Sequence, residues 1–284
     1  MLIARAGTIL MYGENMVLEK MKEYQVLDKG FIRIVDLMGT DDSVVQAARI
    51  SYGKGTKTVQ DDRNLIRYLM RNRHTTPFEM CSIKVHVKAP IFVVRQWFRH
   101  RTAKINEYSA RYSEMKDEFY YPSIEMLQKQ SLSNKQCSSG TFSQAEYDEI
   151  IASMKELCEL SYSKYKDLLT RGVARETARG ILPVNIYTEF YWKMDAHNFM
   201  HFLKLRCEEY SQQEIRAYAV TLREIFSQWM PITYEAFMDY IVKSKSYSSV
   251  ERELLDQCID KDKFASLVSA DTRLSKREKH NLSC

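Results

Sequence analysis

No CxxC pair occurs among the six cysteines, Cys81, Cys137, Cys158, Cys207, Cys258 and Cys284. The spacing therefore suggests neither a cysteine-based zinc site nor a dithiol redox motif. No run approaches 18 consecutive apolar residues, so nothing reads as a membrane-spanning helix. A Gly-rich GxGxxG loop is also missing, which argues against a dinucleotide-binding Rossmann domain. Neither an internal repeat nor a signal peptide is evident. With scattered thiols and 14 methionines, that points to a reducing, cytoplasmic setting. A strong charge imbalance is lacking too. The net charge of +5 permits nucleic-acid binding without demanding it, and suits anionic small ligands equally well.

What is present describes a globular chain. Hydrophobic residues make up 45% and charged residues 28% of 284 positions, enough for a sizeable core in one large domain or two small ones. Residues 1–28 read as a peripheral leader, 29–243 as the compact domain, and 244–284 as a polar tail, peripheral or disordered. Ile32 and Ile34 flank Arg33 as in a strand with one buried face. Residues 41–51 read as a helix capped by Asp41 or Asp42, and 61–73 as another with Leu65, Tyr68 and Leu69 on its apolar side. Cys81, Ile83, Val85 and Val87 alternate with polar residues, which predicts a half-buried strand. Pro90 can open a helix over 91–98, after which the chain becomes loop.

Residues 128–140, rich in Ser, Gln, Asn and Lys, read as an insertion. A long amphipathic helix is predicted over 143–170, its stripe carrying Tyr147, Ile151, Met154, Cys158, Tyr162, Tyr165 and Leu169, with Gly172 ending it. A short helix over 175–182 precedes an aromatic-rich strand over 185–194. Helices over 197–206, capped by Asp195, then 211–229 and 234–242 complete the domain. The expected fold class is α+β: an antiparallel sheet packed with helices, plus a helical C-terminal half.

The run RHRTAKINEYSAR, residues 99–111, holds five groups that can be cationic, Arg99, His100, Arg101, Lys104 and Arg111, against the single acid Glu107. Most charge runs are solvated faces. Here neither Arg99 nor Arg101 has an acid four residues away, and the apolar segment PIFVVRQWF just before it would anchor the run to a core. Arginine forks pair bidentately with phosphate oxygens, so the run is a good place to hold one. Glu107, Ser109 and Arg111 alternate and would face one ligand together if the segment is extended. Arg175 and Arg179 lie one helical turn apart and can face one anion, or form an exposed basic face.

Two other features invite chemistry. His197 and His201 are four apart on a predicted helix, a spacing that suits zinc with Glu208 or Glu209 as a third ligand, though no acid stands where a metalloprotease needs its base. Cys207 follows Arg206, which would lower a thiol pKa; buried packing cysteines are far commoner.

The motifs resemble those of the flavin-dependent thymidylate synthases. The resemblance rests on Arg99-His100-Arg101 followed by seven residues and Ser109. It rests also on HTTPFE at 74–79, KAPIFVVRQWFRHR at 88–101, NEYSARYS at 106–113, AARISYGKG at 47–55 and HFLKLR at 201–206. Together they cover roughly residues 30–242 in the expected order. The resemblance implies reductive methylation of dUMP to dTMP, with methylenetetrahydrofolate as carbon donor, NADPH as reductant and FAD as cofactor. It implies a homotetramer with active sites shared between chains, and neither a metal nor a nucleic-acid partner. It places Ser51, His74, Thr76, Glu79, Arg99, His100, Arg101, Glu107, Asp195, His197 and His201 at the flavin. It places Gln96, Arg99, Glu107, Tyr108, Ser109, Ala110, Arg111, Arg179 and Arg206 at dUMP.

The resemblance also makes Arg206 the group that polarises the uracil ring, in place of a cysteine nucleophile. On residue chemistry alone Arg206 is a helix-terminal cation, favourable against the dipole. Thr76 precedes Pro77 and is expected to be extended. The chain departs from the family after Arg206. It reads Cys207-Glu208-Glu209-Tyr210-Ser211-Gln212, with Tyr210 where members often carry a His. Some members also have Asn and Arg in place of Asp195 and His197.

Overall fold

The computed structural model describes residues 18–50, 59–131 and 138–283. Five strands form one antiparallel sheet: β1 (Glu23–Val26), β2 (Gly30–Met38), β3 (Ser82–Pro90), β4 (Lys104–Glu107) and β5 (Tyr187–Asp195), in the order β1-β2-β3-β5-β4. The alternation read from the sequence sets the register. Ile32 faces Val87, Ile34 faces Val85, and Val85 in turn faces Trp192, so the buried side of each strand lines up across the sheet. All of these side chains are fully buried.

Helices α4 (Ile91–Trp97), α7 (Ala196–Arg206) and α8 (Gln213–Trp229) cover that apolar side. Trp97 is the centre of the layer. Its ring lies 5.4 Å from Phe190, 5.6 Å from Trp192, 5.2 Å from Phe202 and 5.5 Å from Tyr218. Truncating such a side chain typically costs about 3–5 kcal/mol. Tyr218 also donates its hydroxyl to the Lys88 carbonyl at 2.7 Å. That hydroxyl explains Gly30: a Cβ there would meet it at 2.0 Å, so only glycine fits.

Around this layer sit α1 (Asp41–Arg49), α2 (Val59–Arg71), α3 (Thr76–Glu79) and α9 (Pro231–Phe237), which runs on into a π-helical turn, Met238–Val242. The long α5 (Gln144–Thr170) and short α6 (Arg175–Ala178) build a second core with Ala110, Met115, Phe119, Tyr165 and Ile186. α5 is capped by Ser143, whose hydroxyl accepts from the Glu146 amide, and is followed by Gly172 at φ +82°. Its stripe is the one expected, with Ile151, Cys158 and Tyr165 buried.

Several expectations need correction. α1 is capped by Thr40, not by Asp41 or Asp42. Asp41 instead turns inward and accepts from the Ile232 and Thr233 amides, each at 2.9 Å, and from the Thr233 hydroxyl at 2.6 Å. It thereby satisfies the first amides of α9, a long-range use of a carboxylate that local sequence does not reveal. The stretch expected to be a peripheral leader ends in β1, where Val26 is buried and Glu23 pairs with Arg33. The polar tail, expected to be peripheral or disordered, is largely exposed and helical. It forms α10 (Ser249–Cys258), α11 (Lys261–Ala270) and α12 (Lys276–Ser283), and Glu278 returns to bind the buried Arg67 at 2.8 Å. One long-range ion pair leaves no periodic apolar signature in the sequence. The loop expected after α4 contains β4, whose four residues are all exposed. It exists because β5 presents a free edge to pair with.

Candidate active site

The C-terminal ends of α4 and α7 meet. There the Arg206 Nε donates to His100 Nε2 at 3.0 Å, and Arg206 Nη2 donates to the Gln96 carbonyl at 3.3 Å. The Gln96 side chain donates to Gln212. α4 ends at Trp97, whose ring is held in the core, and His100 is folded back against Phe202, 4.8 Å between rings. His100 is only 9% exposed. Burial first, then the neighbouring Arg206 and His201, push its imidazole down to about 4. At neutral pH it is uncharged, and its Nε2 is free to accept the arginine proton. Arg206 itself is held lower than usual by burial, yet an arginine remains charged.

Guanidinium carries five N–H donors in a planar fork. Two of those on Arg206 are taken by His100 and Gln96, and they fix the plane. The rest are available to a ligand. Behind the pair, His100 and His201 rings stand 6.3 Å apart, which links this cluster to a neighbouring cleft. That cleft has a volume of about 580 Å³ and is lined by His74, Thr75, His197 and His201, with Phe78 and Met200 in its buried floor. α7, α3 and the connection between α2 and α3 supply these groups. Among the described residues, no acid lines it.

A third group lies at the turn after β4. The Tyr108 amide donates to the Glu189 carbonyl at 2.8 Å, which ends the strand pairing. The Tyr112 and Ser113 amides then donate to the Ser109 carbonyl at 3.1 and 3.2 Å. Ser109 to Arg111 is therefore a turn, and the expected extended alternation through Arg111 does not form. The turn is anchored by Ala110, buried in the second core beside Ala178. Ala178 immediately precedes Arg179, and Arg111 reaches Glu176 of α6 at 3.3 Å. Arg111 and Arg179 are thus brought to one surface. Glu107 accepts from the Thr188 hydroxyl at 2.9 Å, and the Tyr108 hydroxyl donates to the Glu114 carbonyl at 2.8 Å.

The remaining sequence candidates fall around these groups. Asp195 caps α7 as expected, accepting from the Asn198 amide at 2.8 Å. Arg99 and Arg101 are exposed and make no side-chain hydrogen bond or ion pair among the described residues. Thr76 is the first residue of α3 rather than extended, since Pro77 is well tolerated in a helix's first turn; Thr76 and Glu79 are exposed. Ser51 lies outside the described residues. Tyr210 is 73% exposed and, with Gln212, lines another cleft of about 590 Å³. Cys207 is half-buried, and burial pushes its thiol up to about 11, so it is not a thiolate at neutral pH. Among the described residues no three His, Cys, Asp or Glu side chains converge as a metal site. Nor is any helix there long and apolar enough to cross a membrane.

Sequence reasoning missed several residues of the cleft: Arg71, Arg73, Lys204, Tyr240 and Lys245. Lys204 had a signal, because 197, 201 and 204 follow the spacing of one helix face. Arg71 and Arg73 closely precede or adjoin the HTTPFE motif. Gln212 had none, since its tie to Gln96 crosses 116 positions.

A fixed arginine beside a neutral histidine, a cationic turn and an acid-free histidine cleft suit a ligand set of nucleotides. Comparison with known proteins agrees. Residues 33–232 match the family model described as "Thymidylate synthase complementing protein". The chain is 51% identical over 257 residues to the flavin-dependent thymidylate synthase of Wolbachia pipientis wMel, covering 90% of this chain and 89% of the relative. It is 50% identical over 245 residues to a flavin-dependent thymidylate synthase of Thermus thermophilus, covering 86% and 89%. A crystal structure of the UMP/dUMP methylase PolB from Streptomyces cacaoi, bound with 5-Br dUMP, superposes with a TM-score of 0.70 at 34% identity. That match covers 76% of this chain and 98% of PolB. The chain belongs to the flavin-dependent thymidylate synthase family.

Proposed function

We propose that this protein converts dUMP to dTMP by reductive methylation, taking the carbon from methylenetetrahydrofolate and using FAD reduced by NADPH. The observation that carries the reading is the Arg206–His100 pair, set beside the histidine cleft through His201. Bound FAD would supply the hydride. His74, His197 and His201, with the unpaired Arg99 and Arg101, fit a flavin nucleotide, because the histidine cleft, which no acid lines among the described residues, accepts its diphosphate without repulsion. Thr76, Glu79, Asp195 and Glu107, which do not line that cleft, complete the proposed flavin set around it.

The dUMP phosphate is assigned to Ser109, the backbone around Ala110, Arg111 and Arg179, which share one surface. Gln96 and Tyr108 flank it. Arg206 then faces the uracil. Negative charge accumulates on the ring oxygens and nitrogen as the ring is attacked, and the free donors of Arg206 stabilise it. Neutral His100 holds the guanidinium plane without adding a competing charge. No thiolate is needed, which agrees with the raised Cys207 thiol. The active form is a homotetramer with sites shared between chains. The exposed, unpaired Arg99 and Arg101 suit completion by a neighbour, and the reaction runs in the cytoplasm.

The test is direct. Reduced, flavin-loaded protein is mixed with dUMP and methylenetetrahydrofolate, and dTMP is measured by chromatography. Flavin oxidation that yields dTMP only when both substrates are present is the expected result. A protein that purifies without flavin, or forms no dTMP after flavin loading, would sink the reading.

A further inference from the structure

Residues 33–232 carry the family match, and α10, α11 and α12 lie beyond it. Among the described residues after Val242, only Val268 and Glu278 are buried. A carboxylate is an unusual choice for a buried position in an otherwise exposed segment, because it must be paired to be tolerated. Glu278 is paired at both oxygens. Its Oε2 accepts from the Ser275 amide at 2.7 Å, in the first turn of α12. Its Oε1 accepts from Arg67 Nε and Nη2 at 3.1 and 2.8 Å, and from the Tyr240 hydroxyl.

The Tyr240 hydroxyl in turn accepts from Arg67 Nη2 at 3.1 Å, and the guanidinium lies over the Tyr240 ring, 4.8 Å from its centre. Three elements thus meet at one point: α2 through Arg67, the π-helical turn through Tyr240, and the tail through Glu278. Glu235 and Asp239 also reach Arg67, at 3.3 and 2.6 Å, but their side chains are 46% and 54% exposed. Exposed ion pairs contribute little, whereas removing one member of a buried pair is costly. Glu278, with its side chain 8% exposed, is therefore the acid on which the junction depends.

This junction adjoins the histidine cleft. Tyr240 and Ile241 of the π-helical turn line that cleft, and so do Leu69, Met70 and Arg71, the residues just after Arg67 on α2. Tyr240 also lines a separate cleft between α2 and α12, so it stands between the two. Glu278 does not line the histidine cleft. What pins Arg67 against Tyr240 nevertheless sets how two of the cleft's walls stand to each other.

We propose that Glu278 is a positioning residue for the histidine cleft. It holds Tyr240 and α2 in the arrangement that grips the ligand, and so gives the tail control over cofactor affinity without touching the cofactor. The proposal rests on the assignment of that cleft to the flavin. Its magnitude follows from population: if the untied walls adopt the gripping arrangement about a tenth of the time, the flavin Kd rises about tenfold.

The experiment uses the full chain stripped of flavin, as wild type, Glu278→Gln, Tyr240→Phe and the double variant. Glutamine keeps the size and an acceptor but removes the charge. Phenylalanine keeps the ring and removes the hydroxyl. Quenching of flavin fluorescence gives the FAD Kd well below each melting temperature, and circular dichroism gives the melts. Glu278→Gln should raise the Kd about tenfold, and Tyr240→Phe by a smaller factor. The double variant should bind no more weakly than Glu278→Gln, because both changes break one tie. Kd values equal to wild type, with or without a lowered melting temperature, would make Glu278 merely structural and overturn the proposal. Effects that multiply in the double variant would overturn it too, by giving the two side chains independent roles. If Glu278→Gln does not fold, Tyr240→Phe decides alone, and an unchanged Kd there overturns the proposal. A wild type that binds no FAD removes the flavin reading and the proposal with it.

Discussion

Replacing His100 with glutamine should flatten the acid limb of the protein's stability curve. His100 titrates near 6.5 in an unfolded chain and at about 4 in the folded one, where burial, Arg206 and His201 disfavour the imidazolium. Between those values the unfolded state binds the extra proton, so stability rises with pH. The contribution is fully present above about pH 6.5 and is lost as pH falls toward 4. A difference of roughly 2.5 units corresponds to about 3 kcal/mol at 1.36 kcal/mol per unit, an upper figure for a side chain that is 9% exposed. Glutamine cannot take up that proton, but its amide oxygen can accept from Arg206 Nε in place of the ring nitrogen. Urea unfolding of the flavin-free protein at pH 7.5, 6.0 and 5.0 measures the effect. The wild type should lose on the order of 2 kcal/mol more than His100→Gln across this range, since titration is incomplete at pH 5. Parallel curves would show that His100 is solvated or already paired in its charged form, and the geometry assigned to Arg206 would fail with it. A companion His100→Ala protein removes the acceptor and leaves the Nε donor unmatched, a loss of about 1–3 kcal/mol at any pH.

Other outcomes follow from the same arrangement. Arg206→Lys keeps the charge but not the planar fork, so it should retain flavin while turnover falls on the order of a hundredfold; Arg206→Ala should also weaken dUMP affinity, and an alanine enzyme with near-normal turnover would reduce Arg206 to a helix end. The Arg99→Ala, Arg101→Ala double variant should purify without its yellow colour, and full flavin content at equal circular dichroism would remove both arginines from the flavin site. Cys207→Ser should keep turnover within about twofold because the wild-type thiol is protonated at neutral pH, and loss of activity with dUMP binding intact would revive a nucleophilic cysteine.

The sheet and the long helix were legible because their signals are periodic. Cys81 to Val87 alternate every second residue, and the Tyr147 to Leu169 stripe repeats at helical spacing between a Ser143 cap and Gly172. What escaped notice has no period. β4 is four exposed residues on a free edge, β1 is four residues with one buried end, and α12 is held by an ion pair rather than an apolar face. Thr40 took the cap because Asp41 was claimed by backbone amides some 191 positions away. Local propensity decides between neighbours only when nothing distant competes for the side chain.

The candidate site divides along the same line. Residue types and spacing within Arg99 to Arg111 pointed to candidate side chains, because binding phosphates requires cations and short hydrogen-bonding groups wherever the fold puts them. The pairing that gives Arg206 its proposed role could not be read this way, since it joins positions 106 apart and depends on burying an imidazole. An imidazole between two arginines reads as a third cation in the sequence. In the structure it is the neutral member that makes the cationic cluster usable. Neutral His100 can sit against Arg206 without repulsion, accepts the hydrogen bond from its Nε, and leaves the guanidinium's remaining donors for the proposed ligand. A charged histidine there would instead repel Arg206 and leave its Nε without an acceptor. The electrostatic character of the site thus follows from packing Phe202 and Trp97 tightly enough to desolvate one ring.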